Sequence, residues 1–326
     1  MDGLKFRPLL ESDSAAVLEV LVAAEAAEPS ESFVDLTEVE LELRQPGMNL
    51  PQGSSAALHN GRIVGFATLY APGPGTEWNV YLSGAVLPEY RRAGIGGSLL
   101  QSLIDQAKIL RDRDFSDLPG VLKIWLQAGR TSAAALASAA DFTVRRYFFE
   151  MRAGLEEPLV DWAALATVNS PRLEGIEVRG WSADDDEGVR LAYNQAFADH
   201  WGSVSATPER WRDMFAQSPF FRPDCSRIAV LNAEVVGFVL VDEFDSETAA
   251  HGYRTGYIDR VGTVRAIRGR GLAKVLLAQS MVALASSGCR YAELGVDADS
   301  PTGAGRLYES LGFAVLRRNR VTGLDF

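Results

Sequence analysis

IDRVGTVRAIRGRGLAKVLL, residues 258–277, is the stretch on which the reading of this chain turns. Residues 258–263 predict a short strand, and the apolar run that begins at Leu272 predicts a helix. Between them Arg268-Gly269-Arg270-Gly271-Leu272-Ala273 forms an R-x-x-G-x-A turn. Glycines there let the backbone bend and approach a ligand closely, because no Cβ intervenes. The first turn of the following helix offers free N–H groups and partial positive charge, a combination that favours phosphate. An arginine–glycine turn before a helix is also, in many proteins, only a turn. This chain carries the pattern twice: residues 81–100 read YLSGAVLPEYRRAGIGGSLL, with Arg91-Arg92-Ala93-Gly94-Ile95-Gly96 at the matching place, an offset of 268 − 91 = 177.

The repetition extends in both directions. Residues 4–9 followed by Glu11-Ser12-Asp13 predict a strand and a helix cap, and residues 177–181 followed by Ser182 and Asp184 repeat them at 179 − 7 = 172. A hairpin comes next, residues 56–58 and 63–67 around Asn60-Gly61, a strong local turn signal. Its partner, residues 228–231 and 235–239 around Asn232-Ala233, lies at 237 − 65 = 172. Each glycine turn opens an apolar helix; in the first copy Ile95, Leu99 and Leu103 share a face beside Leu100, Ile104 and Ala107. A further strand (122–126, 291–296) and a short helix ending at Phe142 or Phe313 follow, now at 313 − 142 = 171. The offset shrinks because the first copy carries extra residues around 111–120. Each copy therefore predicts an α/β unit with a mixed sheet. Pro158, Pro171 and Asn169-Ser170 interrupt the pattern, so domains are expected at 1–153 and 176–326, with a linker at 154–175.

Composition agrees with two domains. A chain of 326 residues is too long for one ordinary core and suits two of roughly 150. Hydrophobic residues make up 47% and charged ones 23%, as in a soluble globular protein, and no run approaches the roughly 20 apolar residues of a membrane span. The opening MDGLKFRPLLESDS has acidic residues and no long apolar run, so it does not read as a secretory signal. Cys225 and Cys289 match no metal spacing and read as free thiols of a reducing compartment, so a cytoplasmic location and no metal are expected. A net charge of −11 argues against a nucleic-acid surface and is compatible with a cationic small molecule. The expected assembly is a monomer or homodimer.

This order of elements, with R-x-x-G-x-G/A after the central strand and Tyr308-x-x-x-Gly312-Phe313 downstream, resembles the GNAT N-acetyltransferase superfamily. Two copies in one chain are similar to the tandem GNAT proteins, an architecture of the mycothiol synthase type. The resemblance covers nearly the whole chain, with residues 26–53 and 198–224 poorly matched. It implies the fold class α/β (α+β): two GNAT folds, each a mixed, mostly antiparallel twisted sheet flanked by helices. It also implies acetyl-CoA, its diphosphate held by Arg268, Gly269, Arg270, Gly271, Leu272 and Ala273 in the second copy. In the first copy the corresponding set is Arg91, Arg92, Ala93, Gly94, Ile95 and Gly96. Pantetheine would enter where the central strand splays, at Val261 and Thr263 or at Val86.

Acetyl transfer from a thioester to an amine needs a neutral amine, a polarised carbonyl and a proton for the departing sulfur. Backbone N–H groups around residues 261–263 are candidates for the second task. Tyr308 stands where the family places its general acid, although an aromatic on an amphipathic helix is also an ordinary core residue. The first copy has Ala137 there (308 − 171 = 137). Asp259 is the candidate base, but the family's carboxylate often lies two residues earlier, where this chain has Tyr257. An ordinary aspartate is about 6 units below an alkylammonium, or roughly 8 kcal/mol for direct proton abstraction. Asp259 then needs a raised pKa, a weakly basic amine or a water relay; a salt bridge to a nearby arginine and a rival base, Glu293, are the alternatives. Leu82 matches Asp259 by count (259 − 177 = 82).

By the resemblance Asn194, Asp199, His200 and Trp201 fall in the acceptor wall, while Phe197 and Trp201 at i, i+4 equally read as a packing pair. Residues 242–247 read as a solvated charged turn or, alternatively, as an acidic hairpin tip that attracts an ammonium. The implied activity is acetyl transfer to a primary amine of a small molecule by the second copy, the first being non-catalytic. The alternative is an acyl-CoA-binding or regulatory tandem protein without turnover.

Overall fold

The computed structural model describes residues 3–167, 170–198, 204–212, 215, 217–300 and 303–326. Two compact units emerge: Met1–Tyr147 with Arg318–Phe326, and Phe148–Arg317. Unit 1 runs β1 (Leu4–Arg7), α1 (Ser14–Ala27), α2 (Leu36–Arg44), α3 (Leu50–Gly53), β2 (Ser54–His59), β3 (Arg62–Tyr70), β4 (Trp78–Val86), α4 (Ile95–Asp114), β5 (Gly120–Leu126) and α5 (Thr131–Ala139) into β6 (Thr143–Gly154). Unit 2 continues with α6 (Trp162–Leu165), β7 (Glu177–Gly180), α7 (Asp186–Ala196), α8 (Pro208–Trp211), β8 (Arg227–Leu231), β9 (Glu234–Asp242) and α9 (Asp245–His251). It closes with β10 (Thr255–Thr263), α10 (Leu272–Ser286), β11 (Tyr291–Asp297), α11 (Ala304–Glu309) and β12 (Ala314–Asp325).

The sequence alone places the divide at residues 153 and 175, whereas the compact units divide at 147 and 317. Two long strands cause the difference. The later part of β6 pairs with β11 inside unit 2, Glu293 opposite Arg152. The end of β12 pairs with β5 inside unit 1, Thr322 opposite Ile124.

Both sheets follow one plan, β1-β2-β3-β4-β5 in unit 1 and β7-β8-β9-β10-β11 in unit 2. Every neighbouring pair in these series is antiparallel except β4–β5 and β10–β11, which are parallel. These are the mixed, mostly antiparallel sheets flanked by helices that the resemblance implied. Small devices recur as well. Arg7 bonds Asp13 at 2.6 Å, and Arg179 bonds Asp185 at 2.6 Å, each fixing the first strand to the turn that opens the first helix. Both hairpins turn through two left-handed residues, Asn60-Gly61 and Asn232-Ala233. Helix α4 buries Ile95, Leu99, Leu100, Leu103, Ile104, Ala107 and Leu110, and α10 buries Leu272, Val275, Leu276, Leu277, Met281 and Leu284. At about 1.5–3 kcal/mol for each large side chain removed from water, these stripes hold the glycine turns rigidly against the sheets. No helix of the described residues is long and apolar enough to cross a membrane.

Candidate active site

In unit 2 the site is built where β10 meets its neighbours. Antiparallel pairing with β9 is regular from Thr263–Gly237 to Arg260–Leu240, then skips Asp259 and resumes with Ile258–Val241 and Tyr257–Asp242. Asp259 is thus an extra residue, a β-bulge, which bends a strand and re-aims side chains. Parallel pairing with β11 ends at Tyr257–Glu293. Beyond that point the Val264 N–H donates to Val236 O at 3.0 Å. Alternation along the strand turns the N–H groups of half-buried Val261 and Thr263 to the opposite edge, where β11 no longer pairs. Gly262 is needed here, because a Cβ would lie 2.3 Å from the Phe238 ring.

Unit 1 differs at this point. Pairing of β3 with β4 runs unbroken from Gly65–Val86 to Tyr70–Tyr81, and β4 stays paired with β5 as far as Leu82–Ile124. Register, rather than counting, places Tyr81 opposite Tyr70 as Tyr257 is opposite Asp242, so the bulged Asp259 has no counterpart. Leu82 and Ala137 are both buried.

The two glycine turns share their geometry. Gly269 and Gly271 have φ of +75° and +92°, and a Cβ on either would meet nothing within 4 Å. In unit 1 the same two places are taken by Arg92 (φ +62°) and Gly94 (φ +83°). Gly96 lies closer to its surroundings, a Cβ there reaching Leu136 at 3.4 Å. Arg92, Ala93 and Gly94 are exposed, as are Gly269, Arg270 and Gly271, while Ile95 and Leu272 are buried and Ala273 half-buried. Arg268 donates to Thr263 O at 3.3 Å and Ala196 O at 2.7 Å. Arg91 does the equivalent, reaching Val86 O at 3.2 Å and Glu28 at 3.0 Å. These first arginines clamp the turn to the strand that precedes it. Arg270, like Arg92, is exposed, and it donates to Ala266 O at 3.2 Å.

Around the bulge lies a charged cluster. Arg260 holds Asp259 at 2.5 Å and also bonds its carbonyl. Burial would lower the Arg260 pKa, but Asp259 and a hydrogen-bonded Tyr193 more than offset it and leave it raised. Glu293 is 5% exposed and is held by Arg152 at 2.6 Å. In the acidic turn expected at 242–247 the first two carboxylates are withdrawn from solvent, while Asp245 is exposed. Asp242 ends β9 at 8% exposure, bridged to Phe221 on one side and Tyr257 on the other. Glu243 is held by Arg222 and Arg254, and α9 starts at Asp245. Burial first, then the charge of Asp259, pushes the Asp242 carboxyl up to about 8 against the pull of Arg260. That leaves it roughly 2 units from an alkylammonium, about 3 kcal/mol. Sequence reasoning took Asp242 only as part of an acidic turn, because D-E-F-D-S-E reads as surface; the apolar run VVGFVLV before it was the available signal for a buried carboxylate.

Tyr308 is 8% exposed on α11, its ring edge-on to Phe313 at 6.0 Å. Burial pushes its hydroxyl up to about 12. Asn194 is occupied by the backbone of Ala206, accepting from its N–H at 2.8 Å and donating to its carbonyl at 3.2 Å. Phe197 packs on Tyr193 at 4.8 Å. Asp199, His200 and Trp201 lie outside the described residues.

Comparison with known proteins places this geometry. The model of the Acetyltransferase (GNAT) family matches residues 19–114 and 190–313, one segment in each copy. A mycothiol acetyltransferase of Thermobispora bispora is 32% identical over 90% of this chain and 91% of its own length. One from Nocardiopsis dassonvillei is 30% identical over 94% and 93%. Among solved structures, a GCN5-related N-acetyltransferase from Sphaerobacter thermophilus superposes with a TM-score of 0.74 at 25% identity, over 100% of this chain and 96% of that one. A tandem GNAT protein from the clavulanic acid biosynthesis pathway shares the fold at a TM-score of 0.70 and 18% identity, over 99% and 98%. The chain belongs to the GNAT acetyltransferase family and carries that fold twice.

Proposed function

We propose that this acetyltransferase uses acetyl-CoA and that unit 2 transfers the acetyl group to a primary amine of a small molecule. The observation that carries the reading is the bulge at Asp259, which coincides with the end of β10–β11 pairing and has no counterpart in unit 1. The space above Gly269 and Gly271, beside exposed Arg270 and the first turn of α10, fits a diphosphate. Bound there, acetyl-CoA supplies the acetyl group as an activated thioester. The N–H groups of Val261 and Thr263 polarise the acetyl carbonyl. A carboxylate at the bulge, where Asp259 lies with Asp242 across from it, removes the proton of the amine.

Tyr308 donates a hydrogen bond to the departing sulfur. Its hydroxyl, near 12, holds its proton more tightly than a thiol near 8.5, so its help is modest, at the lower end of the ~10²–10⁴-fold typical of general acids. Unit 1 keeps a glycine turn for coenzyme A and lacks both acidic partners. Relatives named mycothiol acetyltransferases make acceptors of the mycothiol class the first to try.

The test is thiol release from acetyl-CoA with a panel of amines. Release that needs both acetyl-CoA and an amine is expected. Binding of acetyl-CoA without release for any acceptor would favour a non-catalytic acyl-CoA-binding protein instead.

A further inference from the structure

We infer that Asp242, on the strand facing the bulge, accepts the proton of the incoming amine, and that Asp259 is a positioning residue acting through it. The inference rests on the acetyltransferase reading of unit 2 and assigns one of its steps to one atom group.

Four observations converge on this residue. Asp242 pairs with Tyr257, which is also the last residue of β10 to pair with β11, so the carboxylate stands at the point where the strands part. Its side chain is 8% exposed, and its Oδ1 is buried with no hydrogen-bond partner among the described residues. A buried carboxylate oxygen left unpaired is costly and rare, and a ligand that satisfies it is one explanation for its persistence. The neighbouring carboxylates are engaged: Asp259 by Arg260, Glu293 by Arg152, Glu243 by Arg222 and Arg254. Unit 1 has Tyr70 in the same place, opposite Tyr81, and so lacks the group.

The charges that bear on Asp242 come from β10. Asp259 raises its proton affinity and Arg260 lowers it, while burial contributes most. Tyr257, opposite, is half-buried, and its desolvation first, then the charge of Asp259, holds its proton well above the ordinary phenol range. An alkylammonium gives one proton to the Asp242 carboxylate and becomes a nucleophilic amine. Its lone pair forms the C–N bond to the acetyl carbon as the C–S bond breaks. The second nitrogen proton goes to the departing sulfur, which Tyr308 steadies by its hydrogen bond, and Asp242 returns its own to solvent. The products are an amide, a free thiol and one proton.

The experiment compares pH profiles of kcat/KM for the wild type, Asp242→Asn and Asp259→Asn on one alkylamine acceptor. The wild type should rise with pH and level off above about 8, where Asp242 is ionised. Asp242→Asn should lose about 10²-fold or more near pH 8, and its rate should follow the acceptor's own ionisation, so the defect shrinks above about pH 10. Asp259→Asn should stay within about tenfold and move the limb to lower pH, since removing a nearby negative charge makes Asp242 more acidic. Calorimetry with acetyl-CoA checks that Asp242→Asn still folds. If it does not, carbon-13 NMR of labelled aspartates in the wild type decides, with one buried carboxyl titrating near 8 expected and none above 6 overturning the inference. Retention of the limb and of the rate in Asp242→Asn overturns it too. A wild type that releases thiol with no amine overturns the acetyltransferase assignment of unit 2, and this step with it.

Discussion

Strands β4 and β10 hold the same place in two copies of one fold and lead into the same glycine turn, yet their edges carry different chemistry. In β4 the register is unbroken and the residue matched by count to Asp259 is Leu82, 6% exposed. In β10 one extra residue breaks the register and gathers Asp259, Arg260, Tyr257 and Asp242 at a single point. Unit 1 also buries a charge, but a different one. Lys123, in the register of Glu293, is 1% exposed, lies 3.6 Å from Glu77, and has its pKa lowered first by burial. What both copies retain is what a phosphate-binding turn requires: left-handed turn residues, a buried helix behind them and an arginine tied back to the strand. What they do not share is the bulge and the charged side chains gathered at it. One inserted residue in a strand distinguishes the edge of β10 from that of β4, and on the proposed reading it separates a binding copy from a reacting one.

The largest effect expected from this contrast comes from placing a carboxylate in each turn. Gly271→Glu sets a negative charge at the mouth of α10, where like-charge repulsion of about 4 kcal/mol at 4 Å corresponds to roughly 10³-fold. Turnover should fall by that much or more, while Gly94→Glu leaves it within about threefold. Gly271→Ala carries the same left-handed backbone strain, about 1–2 kcal/mol, without the charge and serves as the control. Equal losses in the two glutamate variants would erase the asymmetry.

A smaller loss is expected from Tyr308→Phe. The ring keeps its contact with Phe313, so melting temperature and acetyl-CoA affinity stay near wild type while kcat drops by about 10²-fold. Full turnover would make Tyr308 a core residue only.

The hairpins give the smallest effect and a check on stability alone. Ala233 sits at φ +66° where unit 1 has Gly61 at +83°. Ala233→Gly should stabilise unit 2 by about 1 kcal/mol and Gly61→Ala should destabilise unit 1 by about 1–2, read from chemical denaturation. No gain from Ala233→Gly would mean that the turn carries no strain.

Much of this was legible in the sequence, because repeated turns and apolar periodicities are local signals. The glycine turns, both hairpins and the parallel placement of the strands after each long helix follow from residues close together in the chain. The rest depends on partners far away in sequence. Asp242 looks like surface until Phe221 and Tyr257 are placed on either side of it. Nothing in I-D-R-V announces a bulge, since the skipped pairing is visible only against β9. The resemblance implies Arg268 and Arg91 as phosphate ligands; that each also reaches back five residues to a strand carbonyl, at Thr263 and Val86, is visible only in the fold. The divide at 147 and 317 was hidden because β6 and β12 each look like one ordinary strand.

The most direct test of the central claim is a crystal structure with acetyl-CoA, read for the position of the thioester carbonyl. We expect its oxygen in unit 2, about 3 Å from the N–H of Val261 or Thr263, with the acetyl group facing Asp242 across the bulge. An acetyl group seated instead at Val86 of unit 1, with the turn of unit 2 empty at saturating acetyl-CoA, would contradict it.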